Sequence, residues 1–507
     1  MPVQKIMTAT LVGIDASLVE VEADVSNGLP TTIMVGLPGA AVQESRERVR
    51  SAIKHSGFQY PQMRVSLNLA PANLPKGGTH FDLPIALAIL LAAKQIRPKN
   101  AHFLDKSLFI GELSLDGSIK SCAGLLAMVQ AAHQQGFAAV FIPKTSAGMA
   151  SLIQGVKIFA VDTLAELARL IVSDDIENYC VKRLSIKNIP VEADNDFANI
   201  AGQEQAKRAL EIVASGGHNI LMTGPPGSGK TMLAKALPGI LPPLELEEIL
   251  ELTKIYNSAG KISADVMFSR PVRTPHHTSS SVALIGGGGI PRPGEVTLAH
   301  LGVLFLDEFP EFSRSVLEVL RQPLEENVVT ITRLRDTYTF PANFIFVAAQ
   351  NPCPCGNFNQ HGLECTCTPY LLEKYKKKIS GPLLDRIDLH INVPRLSYQK
   401  IMNTSSAVVQ SQENSKAIAK RVMKARQIQT KRFQKLKTNH EMSVLELRKF
   451  CKLASAENHL LEQAASKYQL SGRSIHRVLK VARTIADLAE SQEISIKHLA
   501  EALQYRV

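Results

Sequence analysis

The segment HNILMTGPPGSGKTMLAKAL constrains the fold of this chain more than any other part of its sequence. An apolar run leads into a glycine-rich loop with the spacing G-x-x-x-x-G-K-T, and a helical pattern follows. This order predicts a strand, a phosphate-binding loop and a helix, with backbone N–H groups turned toward phosphate oxygens. The candidate nucleotide-binding residues are Gly224, Pro225, Pro226, Gly227, Ser228, Gly229, Lys230 and Thr231.

Two side chains of this loop have chemistry suited to a nucleoside triphosphate. Lys230 is expected to reach the β- and γ-phosphates, and the Thr231 hydroxyl is a candidate Mg²⁺ ligand. The amino terminus of the following helix adds partial positive charge at the same place. The loop therefore predicts ATP and Mg²⁺ as cofactors.

A second apolar segment, GVLFLDEFPEF, supplies acidic side chains that complement the loop. Four apolar residues before an acid pair predict a parallel strand that is buried on both faces. Ligands bind at the carboxyl ends of such strands. Asp307 is the second candidate Mg²⁺ ligand, and Glu308 is placed to polarise an attacking water as general base. After the next apolar run, NFIFVAAQ, Asn351 is placed to contact the γ-phosphate and that water.

Length and composition set the broader class of the protein. At 507 residues the chain is expected to form about three domains. With 45% apolar and 20% charged residues, it has the composition of a soluble globular protein. A net charge of +11 favours a polyanionic partner, with nucleic acid first and an anionic membrane surface second. No apolar run approaches the roughly 20 residues that a membrane span needs, and we expect a cytoplasmic protein.

Changes in pattern along the chain predict three domains and a linker. Residues 1–170 alternate strand-like and helical runs, residues 171–196 are polar and weakly periodic, and residues 197–395 alternate again with glycine-rich turns. Residues 396–507 are almost all helical and rich in lysine and arginine. We assign these ranges to an α/β or α+β domain, a linker, an α/β ATPase core and a C-terminal helical domain.

Four of the seven cysteines form the pattern C-x-C-x₉-C-x-C, namely Cys353, Cys355, Cys365 and Cys367. Four thiolates can close a tetrahedral Zn²⁺ site, although the usual spacing is C-x₂₋₄-C. Disulfides are disfavoured in a reducing cytosol, and four unligated thiols are the remaining alternative. We predict a closed, structural zinc site in an insertion over residues 353–367, with His361 as a spare ligand.

The stretches FANIAGQEQAKRALEIVASGGHNILMTGPPGSGKTMLA, RPVRTPHHTSSSVALIGGGGIPRPGEVTLAHLGVLFLDEFPEF, AAQNPCPCGNF, ISGPLLDRIDLHI and LSGRSIHRVLKVARTIADL together resemble magnesium-chelatase-like AAA+ ATPases. They are most similar to the ComM/YifB family. The resemblance extends through the N-terminal third, in ADVSNGLPTTIMVGLPGAAVQESRERVRSAI. It implies an AAA+ P-loop module with a C-terminal helical lid, preceded by an α+β domain similar to the Lon protease domain, of the ribosomal S5 domain 2-like type.

The resemblance also implies how the ATP site is completed. AAA+ proteins of this kind form hexameric rings with ATP sites at subunit interfaces. Asn351 then occupies the sensor position, Arg386 acts as an arginine finger on a neighbour's nucleotide, and Arg473 is a second sensor. The planar, permanently charged guanidinium suits both arginine roles.

Three functions are compatible with these features. The resemblance implies a DNA motor, or helicase, that promotes branch migration in homologous recombination of incoming DNA during natural transformation. A recombinase is a candidate partner, and single-stranded or branched DNA the substrate. The alternatives are a chelatase-type ATPase that remodels a protein partner, and a DNA-binding scaffold with a regulatory ATPase. DNA stimulation of ATP hydrolysis distinguishes the first from the second.

The segment EENVVTITRLRDTYTFPANF predicts a β-hairpin with a polar turn near residues 333–336. In the related helicases such elements point into the pore of the ring. Arg333 and Arg335 are therefore the candidate contacts to DNA phosphates, although single arginines at a hairpin tip are often only solvated.

The N-terminal third resembles the Lon protease domain without its catalytic pair. The stretch NLAPANLPKGGTHFDLPIA places His80 where that family has its nucleophilic serine, and GELSLDGSIKSCAGLLAMVQAA places Leu126 where it has the activating lysine. Leucine cannot accept a proton, so the activation that a serine nucleophile needs is missing. We predict a domain without protease activity, with His80 in a structural role.

Overall fold

The computed structural model describes residues 3–74, 76–173, 175–182, 196–262, 265–288, 291–333, 337–358, 364–395 and 413–506. These form two compact units. The first comprises residues 1–187 together with 245–268, and the second comprises residues 188–244 and 269–507. The sequence-based division kept the whole of 197–395 together, whereas the structure assigns residues 245–268 to the first unit.

The first unit is built on a mixed seven-stranded sheet with the order β3-β4-β2-β1-β5-β8-β9. Its strands are β1 Gln4–Val12, β2 Asp15–Ser26, β3 Thr32–Val35, β4 Arg64–Ala70, β5 Ser107–Phe109, β6 Glu112–Leu113, β7 Ile119–Lys120, β8 Ala139–Pro143 and β9 Lys157–Val161. Its helices are α1 Ala40–His55, α2 Asp82–Ala92, α3 Ala101–Asp105, α4 Leu125–Gln134, α5 Ala147–Ala150, α6 Leu164–Val172 and α9 Leu246–Ser258. The strands alternate buried and less buried side chains along β2, which is the period of a sheet with one face in the core.

Helix α9 is continuous in sequence with the second unit and packs in the first. The Asn257 backbone carbonyl accepts from the Gly124 N–H at 3.3 Å, and its side-chain Oδ1 accepts from the Leu126 N–H at 3.3 Å. Lys254 also pairs with Asp15 at 2.9 Å. These contacts fix α9 against the start of α4.

Two buried residues of this unit, Leu126 and His80, occupy the positions for which no protease chemistry is predicted. Leu126 is only 1% exposed and lies at the buried start of α4. His80 is 3% exposed, and burial lowers the pKa of its imidazole to about 4. Its ring is therefore neutral at physiological pH and closed off from solvent, in keeping with a structural role.

The second unit is built on a parallel five-stranded sheet with the order β11-β14-β17-β10-β18. Its strands are β10 Ile220–Thr223, β11 Val272–Arg273, β12 Gly286–Gly287, β13 Arg292–Pro293, β14 Val303–Leu306, β15 Val328–Thr332, β16 Thr337–Pro341, β17 Ile345–Gln350 and β18 Leu389–Asn392. Its helices before the C-terminal region are α7 Glu204–Gly216, α8 Lys230–Ala236, α10 Ser281–Ile285, α11 Glu295–Leu298, α12 Arg314–Glu318, α13 Arg321–Glu326, α14 Pro369–Lys376 and α15 Gly381–Leu384. All four residues of β14 are buried, which explains its uniformly apolar sequence.

The C-terminal part of the described chain is helical, as predicted for the lid. Its helices are α16 Ser415–Phe433, α17 Val444–Phe450, α18 Ser455–Tyr468, α19 Gly472–Leu488 and α20 Ile496–Gln504. A buried carboxylate connects them to the sheet: Asp388, just before β18, accepts from His440 at 2.8 Å and from Arg477 at 2.7 Å. These cationic and hydrogen-bonding neighbours hold the pKa of Asp388 well below its usual range despite complete burial.

Candidate active site

The glycine-rich loop lies between β10 and α8, at the carboxyl end of an interior strand of the parallel sheet, as the sequence predicts. Gly227 and Gly229 have φ angles of 73° and 93°, a region that glycine enters without the steric cost of a Cβ. Among the described residues, the buried Ser228 Oγ has no hydrogen-bond partner. A loop with left-handed turns and an unpaired buried hydroxyl fits the phosphate chain of a nucleotide.

Lys230 is buried at the first turn of α8 and lies over the loop. Its Nζ donates to the carbonyl oxygens of Gly224 at 2.7 Å and Pro225 at 2.9 Å, and lies 3.4 Å from Oδ1 of Asn351. Burial lowers the pKa of Lys230, and the Asp307 carboxylate acts in the opposite direction. The ammonium is thus held where the loop, α8 and the end of β17 meet.

The two candidate Mg²⁺ ligands lie together. The Thr231 hydroxyl donates to Oδ2 of Asp307 at 2.8 Å, and both side chains are at least partly exposed. Hydroxyl and carboxylate oxygens are the ligands that Mg²⁺ takes beside nucleotide phosphates. The residues present therefore fit both ATP and Mg²⁺.

Glu308 follows Asp307 with a backbone conformation that is uncommon outside glycine. Its φ of 50° and ψ of 44° are left-handed, and its N–H donates to Oδ1 of Asp307 at 2.9 Å. The carboxylate is 59% exposed and lies 3.6 Å from Nδ1 of His277. Such strained residues concentrate at functional sites.

Two predicted arginines lie together and away from the loop. Arg386 donates to Pro382 O at 2.7 Å and to the Glu325 carboxylate, and Arg473 Nη2 lies 3.3 Å from Oε1 of Glu325. Both arginines and Glu325 line a cavity of about 270 Å³ that no glycine-loop residue lines. Among the described residues, the buried Nε of Arg386 has no hydrogen-bond partner. Glu325 is thus the ionic partner that Arg386 and Arg473 share.

The four predicted cysteines converge. The Sγ of Cys353 lies 3.3 Å from that of Cys355 and 3.8 Å from that of Cys365, and the Sγ atoms of Cys355 and Cys365 are 3.6 Å apart. All four sulfurs, including that of Cys367, lie within 4.8 Å of one another. Zn–S bonds of about 2.3 Å in a tetrahedron separate sulfurs by about 3.8 Å, so the cluster fits a zinc ion.

Backbone N–H groups support the sulfurs of this cysteine cluster. The N–H of Phe358 lies 3.3 Å from the Sγ of Cys353. A hydrogen bond from the backbone of Asn357, together with the neighbouring Cys353 thiol, lowers the pKa of Cys355 to about 5, whereas burial and the neighbouring thiols raise the pKa of Cys365 to about 12. Thiolate is the form that binds metal, and hydrogen bonds to ligands orient them. The spare ligand predicted at His361 lies outside the described residues.

The cysteine cluster also lies against the phosphate-binding loop. Gly356, with φ of 83°, approaches so closely that a methyl group on its Cα would lie 2.6 Å from Cδ of Pro226. Asn351, whose Oδ1 lies near Lys230, is two residues before the first cysteine. A change in the cluster would therefore reach the loop through Gly356 and through Asn351.

The hairpin predicted for the DNA contact is present, with β15 and β16 antiparallel and Thr332 opposite Thr337. Arg333 lies at its end and donates to the carbonyl oxygen of Gly288. Arg335 lies outside the described residues. The assignment of the two arginines to DNA stays a prediction.

Comparison with known proteins identifies the family. A model of magnesium chelatase subunit ChlI matches residues 196–401, a second model of that subunit matches residues 21–146, and one of its C-terminal region matches residues 412–506. The uncharacterized protein YifB of Escherichia coli is 42% identical over 98% of this chain and 96% of its own length. The competence protein ComM of Haemophilus influenzae is 41% identical over 97% and 95%. The chain belongs to the ComM/YifB family of magnesium-chelatase-like AAA+ proteins.

Membership in the ComM/YifB family agrees with the fold. A parallel sheet with a glycine-rich loop and a C-terminal helical lid forms the second unit, and a mixed α+β domain forms the first. Lon protease 2 of Bacillus subtilis is 29% identical over 149 residues, which are 26% of this chain and 26% of its own length. The family implies an ATPase that uses ATP and Mg²⁺. In the described part of the chain, every helix is too short or too polar to cross a bilayer.

Proposed function

We propose that this protein is a cytoplasmic, hexameric ATP-driven DNA motor that promotes branch migration when incoming DNA recombines during natural transformation. The observation that carries the proposal is the similarity to competence protein ComM over nearly the full length of both chains. The net charge of +11 supports a polyanionic substrate. Arg333 follows β15 in the hairpin β15–β16, and Arg335 comes two residues later in the sequence.

The geometry of the site supports a division of labour in ATP hydrolysis. Lys230 holds the β- and γ-phosphates in place of the loop carbonyls that its Nζ now contacts. Thr231 and Asp307 hold Mg²⁺, which when bound neutralises charge on the phosphate oxygens. Glu308 accepts a proton from the attacking water, and the side chain of Asn351 orients that water against the γ-phosphate.

The position of Arg386 and Arg473 supports a site completed by a neighbouring subunit. Both guanidinium groups form ion pairs with Glu325, in a cavity that no residue of the phosphate-binding loop of the same chain lines. In a head-to-tail ring, that cavity would face the γ-phosphate held by the next subunit. The two arginines would then exchange Glu325 for phosphate oxygens, and their charge would stabilise the transition state.

A branch-migration assay on a synthetic four-way junction tests the proposed function. The junction should be resolved into its duplex products in the presence of the protein and hydrolysable ATP. Protein with Glu308→Gln, or with a non-hydrolysable ATP analogue, should bind the junction without moving it. Migration of the junction without ATP, or ATP hydrolysis without migration of the junction, would contradict the proposed motor function.

A specific observation favours one alternative, a chelatase-type ATPase acting on a protein partner: three models of the magnesium chelatase subunit cover most of the chain. ATP hydrolysis by such an enzyme would be insensitive to DNA, whereas the proposed motor should be stimulated by single-stranded or branched DNA. For a DNA-binding scaffold with a regulatory ATPase, the Glu308→Gln variant should still support function.

We further propose that the cysteine cluster binds one structural Zn²⁺. Purified protein should contain about one zinc per chain. Cys365→Ser should lose the metal and weaken ATP binding, because the cluster touches Pro226 through Gly356. Cys180→Ser, which changes an isolated thiol, should retain both properties. Elemental analysis and nucleotide titration measure the two, and zinc far below one per chain without chelator would contradict the site.

Replacing Arg333 and Arg335 together by alanine should weaken DNA binding at every sequence. The plot of log K against log salt has a negative slope, and each lost phosphate contact makes it less steep by about one unit. The salt dependence should therefore become shallower by up to about two units. Binding titrations at several salt concentrations measure this. Arg448 and Lys452, exposed on the C-terminal helical region, provide a control pair that removes equal charge. An unchanged slope in the hairpin variant would exclude the contact.

A further inference from the structure

The end of strand β11 lies beside the end of strand β14, and the candidate general base Glu308 follows β14. The two strands are parallel neighbours, with Val272 opposite Val303 and Arg273 opposite Leu304. Four residues beyond that last pair come His277 on one segment and Glu308 on the other. Both residues therefore follow the carboxyl ends of neighbouring parallel strands, which lie at the same edge of the sheet.

The segment that carries His277 is fixed at its start. Arg273 forms a two-pronged ion pair with Glu295, with Nε and Nη2 at 2.6 and 2.7 Å from the carboxylate oxygens. Two-pronged pairs of this kind fix orientation as well as charge. The loop after β11 therefore leaves the sheet from a defined position.

The imidazole of His277 faces the carboxylate of Glu308. Its Nδ1 lies 3.6 Å from Oε2 of Glu308, just beyond hydrogen-bond length. The His277 ring packs edge-on against Phe312, with centroids 6.5 Å apart, and tilts over His276 at 4.1 Å. The His276 Nδ1 lies 2.9 Å from the Thr278 hydroxyl. His277 is thus the ring whose nitrogen points to Glu308.

The backbone of Glu308 is fixed, but its backbone geometry does not fix the position of its carboxylate. Its left-handed backbone and its N–H bond to Asp307 fix the Cα, while the carboxylate itself is 59% exposed. A solvated side chain on a fixed backbone can adopt several rotamers, and only some of them reach a water beside the γ-phosphate. A small displacement of a reacting group can reduce the rate about 10²-fold.

We propose that His277 is a positioning residue for Glu308, holding the carboxylate through Nδ1 in the rotamer that activates the attacking water. The proposal rests on the assignment of Glu308 as general base. His277 contacts neither Lys230 nor Thr231 in any described interaction, so its loss should act on the chemical step and leave the ATP concentration for half-maximal rate unchanged.

Three variants test the proposal through ATP hydrolysis without DNA. His277→Ala should lower kcat about tenfold to 10²-fold with KM for ATP unchanged. His277→Asn should recover part of the rate, because the asparagine Nδ2 takes the place of the imidazole Nδ1. His459→Ala, which changes an exposed histidine bonded to Gln463 within α18, is the matched control and should hydrolyse ATP normally.

A double-mutant cycle separates positioning from a general structural role. In single-turnover measurements, adding His277→Ala to Glu308→Gln should lower the rate no further. An unchanged kcat in His277→Ala, a rise in KM that accounts for the loss, or an equal further loss in the Glu308→Gln background would each overturn the proposal. If His277→Ala does not fold, the proposal is tested by His277→Asn and by the double-mutant cycle that combines His277→Asn with Glu308→Gln. Full activity in Glu308→Gln alone would instead refute the assigned general base.

Discussion

Replacing Glu308 by glutamine should lower kcat for ATP hydrolysis by about 10²–10⁴-fold, the contribution of a positioned general base. Glutamine preserves the size and polarity of the side chain but cannot accept the proton of the attacking water. Lys230, Thr231 and Asp307 remain in place, so ATP binding should be retained. Steady-state hydrolysis and equilibrium titration with a fluorescent ATP analogue measure the two effects separately.

The matched comparison is Lys230→Ala. This change removes the ammonium that lies over the loop carbonyls, so it should weaken nucleotide binding as well as hydrolysis. The contrast matters because a loss of both properties in Glu308→Gln would indicate damage to the loop. Hydrolysis by Glu308→Gln at the rate of the unchanged protein would exclude Glu308 as the base.

The second large effect is expected at Arg386. Its replacement by alanine should lower kcat about 10³–10⁵-fold, the range found for arginine fingers. ATP should still bind, because the guanidinium lies on Glu325 in a cavity that no glycine-loop residue lines. Measurements of hydrolysis and ATP titrations distinguish this loss of kcat with ATP binding retained from the loss of both properties expected for Lys230→Ala.

Mixing two inactive variants tests whether Arg386 acts across a subunit interface. In a ring assembled from Arg386→Ala and Lys230→Ala subunits, a site between an intact loop and an intact arginine is complete. With equal amounts and random assembly, about one quarter of the sites should be complete, and hydrolysis should reappear. If the mixture is as inactive as its components, although it forms mixed rings, the arginine acts within its own chain.

Sequence reasoning located the parts of the site that belong to one continuous motif. The loop glycines, Lys230 and the acid pair after β14 are local patterns, and each lies at the carboxyl edge of the parallel sheet as predicted. The four cysteines also converge as expected from their spacing. In these cases the chemistry of the side chains and their order along the chain are enough.

Other features depend on register between segments that are distant in sequence. His277 follows β11 in a Pro-His-His-Thr stretch that by itself indicates no link to the acid pair, and the contact with Glu308 appears only in the structure, where β11 pairs with β14. The shared partner of Arg386 and Arg473 is Glu325, on α13, and nothing in its local sequence marks it. Pairing of strands and packing of helices decide such contacts, and a single sequence records neither.

The excursion of the chain through α9 affects how the protein can be divided. Residues 245–268 leave the nucleotide-binding unit after Leu244, pack in the other unit, and return at Ser269. A fragment begun after the polar linker would keep this helix and lose the hydrophobic cluster of the first unit, against which Leu250 and Val266 pack. The ATPase part is therefore not an exchangeable cassette, and a shortened form would need a replacement connection between Leu244 and Ser269 to avoid an exposed apolar helix.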